Sequence, residues 1–496
     1  MPAQLTTRAQ VNGYRFLLRR LDHALVRRDV RMLHDPMRSQ VRSLMVGAVL
    51  GLLGVAGAAI LGFLRPQGAV GDAQIVMGKD SSALYVVVGE EGGAQRLHPV
   101  LNLASARLIS GSSETPTSVK DAKLASMPRG PLLGIPGAPA ALPGSAGGDR
   151  SDWAVCETVQ LSSSGSAVAA TGVTTAVLGT RPHLDARIRP AADDAAILAR
   201  RGDKTYLIYD GKRAEVDTTN AALTRVLGLE GKRPRPAGPA LLDAPSPVPP
   251  LAVPAVAQAG TPGPGKLSDV PVGGVISIAS DRPQLYVVLA DGVQAISDFT
   301  AQVLRTADSH GMSEIKVVPP DALTGLTMLH QLPVDHFPVT TPTLLAAEDA
   351  PVTCLAWSKA SAKATGGEVV DGPAERADTV LLSGTRLPLA DSAVPVALAT
   401  GDGTGDRVDS AYIAPTSGEF VQVTGIEPGS PRRGSLFYVA DIGIRYGVPD
   451  LETAEVLGLG NRPKLAPWSV VGQLIAGPTL AKRDALMSRD TLVTTN

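Results

Sequence analysis

Hydrophobic positions along this chain follow three successive rhythms. Tyr14, Leu17, Leu18, Leu21 and Leu25 recur at the spacing of one helix face, with Arg15, Arg19, Arg20, Arg27 and Arg28 set around them. Thr7-Arg-Ala-Gln10 has capping-box spacing, so an amphipathic, basic helix is expected to start there. Asp35-Pro36 should break it before a second helix that runs through Arg38 and Arg42. The second rhythm is unbroken: Leu44 to Leu64 is uncharged for 21 residues, about 31 Å of helix and enough to cross a bilayer. A cleaved signal peptide would carry a shorter apolar run and a shorter basic leader, so the run reads as a retained anchor. Gly47, Gly51, Gly54 and Gly57 would permit close helix approach there.

Beyond the anchor the rhythm becomes short apolar runs, glycine-bearing turns and helix-like stretches, and it repeats. Residues 84–111, 205–231, 285–311 and 436–460 each begin with an aromatic second position in a β-rich run, for instance LYVVVGEEGG and LYVVLADGV. Each continues through a turn and a short strand into a stretch rich in Ala, Leu or Val, which reads as a hairpin followed by a helix. A preceding strand can be drawn for every copy, as in Gly274-Val-Ile-Ser-Ile-Ala and Glu419-Phe-Val-Gln-Val. Met127-Pro-Arg-Gly-Pro-Leu after the first copy matches Leu474-Ile-Ala-Gly-Pro-Thr-Leu after the fourth. Units of about 60 residues are marginal alone and should lean on something central.

A second duplication supplies that centre. Cys156 is followed by TAVLGTRP and Cys354 by TVLLSGTRLP, with Trp153 and Trp357 each three residues from a cysteine. The expected fold is α+β and β-rich, a single transmembrane helix followed by four small repeats around a central disulfide-linked β domain. The expected boundaries are a basic cytoplasmic segment over 1–43, the membrane helix over 44–64, repeat 1 over 65–145 and the first central half over 146–185. Repeat 2 follows over 186–233, a linker over 234–266, repeat 3 over 267–345, the second central half over 346–425, and repeat 4 with a tail over 426–496. The linker reading rests on ten prolines within 234–266.

Charge sharpens the picture. Residues 1–43 hold nine Arg against three Asp, a net +6, so a chain of net −1 carries −7 over the rest. Arginine excess on one side of the anchor places the N-terminus in the cytoplasm and the bulk outside. Both cysteines then lie where disulfides persist, and one bridge between them is expected; two buried free thiols are the alternative. The basic helix either lies on anionic lipid or docks on another membrane subunit.

Candidate chemistry is sparse, and neither a cofactor nor a metal is expected. Gly260-Thr-Pro-Gly-Pro-Gly265-Lys266-Leu267 approaches a phosphate-binding loop, but it lacks the Mg²⁺-binding hydroxyl and places prolines where amides must donate. Asp402, Asp406 and Asp409 resemble half of a calcium loop without its terminal Glu, and His330 with His336 misses zinc spacing. Nucleic-acid binding is disfavoured by the tethered position of the arginines and by few aromatics.

Long strings carry a resemblance: LTTRAQVNGYRFLLRRLDHALVRRDVRML (5–33), Leu64-Arg-Pro-Gln-Gly, LHPVLNLASARLISG (97–111), PRGPLLGIPGAP (128–139) and APWSVVGQLIAGPTLAKRDAL (466–486). In this order they resemble EccB, a membrane core component of the mycobacterial ESX, or type VII, secretion system. The likeness implies a structural subunit of the inner-membrane complex that oligomerises in the periplasm, with EccC, EccD, EccE and the mycosin protease as partners. The family sometimes bears an ATPase label, so ATP hydrolysis is an alternative reading, as is a module that binds the cell wall. Departures near Gly401-Asp-Gly and at the C-terminal tail leave the paralogue open.

Overall fold

A computed structural model describes residues 7–28, 36–64, 70, 72–89, 95–162, 172–280, 283–360 and 376–489. The N-terminal unit contains two helices. Arg8–Arg27 begins where Gln10 Oε1 accepts a bond from Thr7 N at 3.0 Å, and it ends at Arg28 in a left-handed conformation. Pro36–Leu64 forms one continuous helix whose Ser39–Ile60 stretch is long and apolar enough to span a bilayer. The break expected at Asp35 falls outside the described residues.

The outer unit repeats one motif four times. In repeat 1, Ile75–Gly78, Leu84–Gly89 and Gln95–Pro99 form an antiparallel meander, followed by the helix Leu103–Ser110. Repeat 2 has Ala195–Arg201, Lys204–Tyr209, Lys212–Glu215 and the helix Ala221–Val226. Repeat 3 has Val275–Ile278, Gln284–Leu289, Gly292–Ile296 and Asp298–Ala307; repeat 4 has Gly418–Thr424, Leu436–Ala440, Ile444–Val448 and Leu451–Val456. Each helix starts from a side chain that accepts a backbone N–H three residues on: Asn102 from Ser105, Asn220 from Leu223, Ser297 from Thr300 and Asp450 from Thr453. Such a cap contributes about 1 kcal/mol, which matters for helices of six to ten residues that cannot stand alone.

After its helix, the chain in repeats 2 to 4 returns to add a short parallel strand on each side of the meander. In repeat 3 these are Lys316–Val318 and Thr327–Met328, and in repeat 4 Lys464–Pro467 and Ile475–Ala476. Repeat 1 shows the trace of the same closure where Leu97 bridges Arg129. The matching segments at 127–132 and 474–480 are therefore the returning edges of equivalent sheets.

A seven-stranded sheet occupies the centre, and its middle strands are Arg150–Gln160 and Val352–Ala360, one from each half of the sequence. They run antiparallel with Trp153 opposite Trp357 and Cys156 opposite Cys354. That register places a pseudo-two-fold axis between them. The repeats obey it: repeat 1 shares a core with repeat 4, and repeat 2 with repeat 3. Phe299 of repeat 3 lies fully buried in one core with Leu207, Leu223 and Leu251, and Tyr438 of repeat 4 in the other with Val86 and Leu108.

Residues 234–266 are not a free linker. Arg235–Pro236 pairs with Ala199–Arg200, and Ser246–Pro247 with Lys212–Arg213, so this stretch supplies the edges of repeat 2. Between them Pro239–Asp243 forms a helix with Leu241 and Leu242 buried. Proline is admitted because it sits at the first turn of that helix and on edge strands, where a missing N–H is tolerated. Repeat 2 consequently extends past 233, and Thr343–Leu344 from the far end of repeat 3 joins the same sheet.

Candidate functional site

Three features could carry function: the N-terminal helices, the disulfide-centred joint, and the segments that imitate ligand sites. On the first helix Tyr14, Leu17, Leu18, Leu21 and Leu25 are all exposed, as are Arg15, Arg19, Arg20 and Arg28; the Arg27 side chain lies outside the described residues. A leucine 61% exposed, as Leu21 is, on a face with four more large apolar groups is a surface that wants a lipid or protein neighbour. In the second helix a methyl added at Gly47, Gly51, Gly54 or Gly57 would meet nothing within 4 Å, so that stripe is also bare.

At the centre, Cys156 and Cys354 form a disulfide with both side chains fully buried and Cα atoms 4.0 Å apart. Beside each half-cystine a polar side chain reaches to the same strap. Glu157, wholly buried, accepts from Gly238 N at 2.9 Å and Leu241 N at 3.3 Å, the start of the helix Pro239–Asp243. From the same strap, buried Arg235 donates to Ala350 O, Pro351 O and Thr353 Oγ1 on the approach to the other central strand. Burial pushes the Glu157 carboxyl up to about 7, against the opposing pull of the two amides and the Arg235 and Arg201 charges. Burial also lowers Arg235, to about 10. Gly238 is required at this joint because a Cβ there would fall 2.0 Å from Gly405 O. Glu157, Arg235 and Gly238 escaped the reading of the sequence; a Glu inside the apolar strand WAVCETV was the available signal.

The imitations are closed. Around Gly260–Leu267, Gly263 N donates to Val270 O and Leu267 N to Pro264 O, and Lys266 pairs with the Asp321 carboxylate at 3.1 Å. Those two amides are spent on carbonyls of their own loop. Asp409 accepts from Gly403 N and Thr175 N, both at 2.7 Å, Asp402 from Thr404, and Asp406 pairs with Arg201, so each carboxylate is occupied separately. His330 pairs with Asp335, whereas His336 sits edge-on to Phe337, so the two histidines do not converge. Among the described residues no group of three or more His, Cys, Asp or Glu could hold a metal ion.

The family model for the "Type VII secretion system ESX-1, transport TM domain B", EccB, matches residues 3–494. The chain belongs to the EccB family. It is 39% identical over 98% of its length to "ESX-3 secretion system ATPase EccB3" of Mycolicibacterium smegmatis, covering 92% of that protein. It is 35% identical over 99% of its length to "ESX-1 secretion system ATPase EccB1" of Mycobacterium tuberculosis, covering 96%. Among solved structures, a chain of an "intact ESX-5 inner membrane complex" superposes with a TM-score of 0.70 at 34% identity, covering all of this chain and 98% of that one. A chain of the "EccB3 dimer from the ESX-3 core complex" gives 0.68 at 37% identity, covering 84% of this chain and all of that one. The chain is thus a type VII secretion membrane component with, among the described residues, one candidate spanning helix, and with an outer domain of the kind found in periplasmic assemblies.

Proposed function

We propose that this chain is a single-pass structural subunit of an ESX inner-membrane complex, with residues 1–43 in the cytoplasm and the disulfide-centred unit in the periplasm. The observation that carries this reading is one apolar helix, Ser39–Ile60, uncharged from Leu44 onward, set between an arginine-laden amphipathic helix and a β-rich unit stabilised by a disulfide. Arginines on one side favour retention there, and a disulfide favours the oxidising side. Tyr14, Leu17, Leu18 and Leu21, flanked by Arg15, Arg19, Arg20, Arg27 and Arg28, form the docking surface for the cytoplasmic and membrane subunits, EccC, EccD and EccE. The outer unit associates with copies of itself and with the mycosin protease. The kinship with chains from an inner-membrane complex and from a dimer supports this assignment.

An ATP-hydrolysing role draws support from the relatives' names alone, because in the segment closest to a phosphate loop Gly263 N, Leu267 N and the lysine are already engaged. The test is purification of the tagged full chain from gently solubilised membranes, with the recovered complex weighed and its subunits identified. Recovery with the other membrane subunits is expected. A chain recovered alone, at the mass of one copy, would contradict the proposal.

A further inference from the structure

Repeat 4 carries an arginine–aromatic stack at the rim of the central core. Trp468 opens the short helix Trp468–Val471 and remains 46% exposed, although Val470 and Val471 beside it are buried. Its indole stacks 5.7 Å from the Phe437 ring at 23°, and the Arg445 guanidinium lies 5.1 Å over the indole and 5.4 Å over the phenyl ring. Gly472 seats the indole: a Cβ there would come within 3.0 Å of Trp468 Cε2. Arg445 Nε donates to Leu474 O at 3.2 Å. Its terminal nitrogens meet no carboxylate or carbonyl among the described residues, and Trp468 Nε1 meets no acceptor. Arg445 is therefore a half-buried cation held in place by rings and one carbonyl, with its ion-pairing edge unused.

We propose that the Trp468–Phe437–Arg445 stack is a contact surface for a second copy of this chain, which sets a carboxylate against Arg445 and an apolar group against the open part of the indole. The proposal rests on the self-association stated above. Two observations select a second copy as the occupant. Residues 44–496 carry the chain's acidic excess, −7 after the +6 of residues 1–43 is removed from −1, so a second outer unit offers the charge that Arg445 lacks. A solved chain 37% identical to this one is described as a dimer. Trp and Arg dominate interface energies, and a pair already fixed by stacking loses little side-chain freedom on contact.

The experiment measures the mass of the full-length protein in detergent micelles against concentration, for the wild type, Trp468→Ala, Arg445→Gln and Arg129→Gln. The last removes a comparable stacked arginine, over Tyr85 on repeat 1. The proposal expects Trp468→Ala and Arg445→Gln to raise the half-dissociation concentration about 30-fold, with Arg129→Gln unchanged. Should Trp468→Ala unfold the chain, Arg445→Gln, which keeps both rings, decides. Wild-type association in both stack variants overturns the proposal and leaves self-association standing. A wild type that is monomeric at every concentration removes both.

Discussion

The N-terminal helices and the outer unit solve the problem of apolar surface in opposite ways. In the outer unit the large side chains find one another: Phe299, Trp153, Trp357, Tyr438 and Tyr446 are almost wholly buried, and the disulfide joins the two strands at the centre. In the N-terminal unit Leu17, Leu21 and Leu25 and nearly the whole of Ser39–Ile60 are bare. The first region buries its own core, and the second leaves its apolar surface for a bilayer and a neighbour. A substitution in the core of the outer unit should therefore register as stability, and one on the basic helix as assembly.

The largest effect expected is Cys156→Ser. Opening a loop spanned by a sequence separation of 198 residues removes about 5 kcal/mol on the chain-entropy account. Denaturant titration of the purified full chain should show that loss while membrane insertion stays at the wild-type level; an unchanged midpoint would remove the disulfide from its central role.

Next comes the joint. Glu157 is an acid whose folded value, about 7, lies above its ordinary 4.5, so the folded state holds an extra proton between those values. Stability from this group is lost as pH rises through 7 and fully regained below 4.5, a difference of about 3 kcal/mol. The wild type should gain thermal stability from pH 8 to pH 5, and Glu157→Gln should lose most of that gain. Equal pH slopes in the two proteins would show that the carboxyl is not what titrates.

Smallest in stability, and largest in assembly, is Leu17→Glu combined with Leu21→Glu. Exposed positions change unfolding free energy by about 0.5 kcal/mol or less, so the outer unit should melt as before. Recovery of the other membrane subunits with the tagged chain should fall sharply. Undiminished recovery would shift the docking surface elsewhere.

What could be read from the chain itself follows the length of each signal. The anchor, the basic helix and four hairpin–helix repeats each extend over twenty or more residues, and the Trp–Cys spacing repeats closely enough to place two half-sheets side by side. The edge strands escaped because Arg235–Pro236 and Ile475–Ala476 are two residues each, too short for any alternation. The strap over 234–266 was hidden by its prolines, although Pro239 ahead of Ala-Leu-Leu-Asp is a helix-start pattern. Glu157 lies in a strand covered on both faces, where polar and apolar positions do not alternate, so its partners could not be inferred. The pairing of repeat 1 with 4 and of 2 with 3 depends on contacts far apart in the chain, with sequence separations such as 350 for Arg107 with Leu457 and 127 for Tyr209 with His336.

The central claim is that the spanning helix separates a cytoplasmic foot from a periplasmic unit. The two native cysteines are joined, so an added cysteine would be the sole free thiol. Asn12→Cys and Ala257→Cys, both at exposed positions, would each be treated with a membrane-impermeant maleimide on intact spheroplasts. The account predicts labelling at 257 at once and at 12 only after permeabilisation; labelling at 12 with protection at 257 would contradict it.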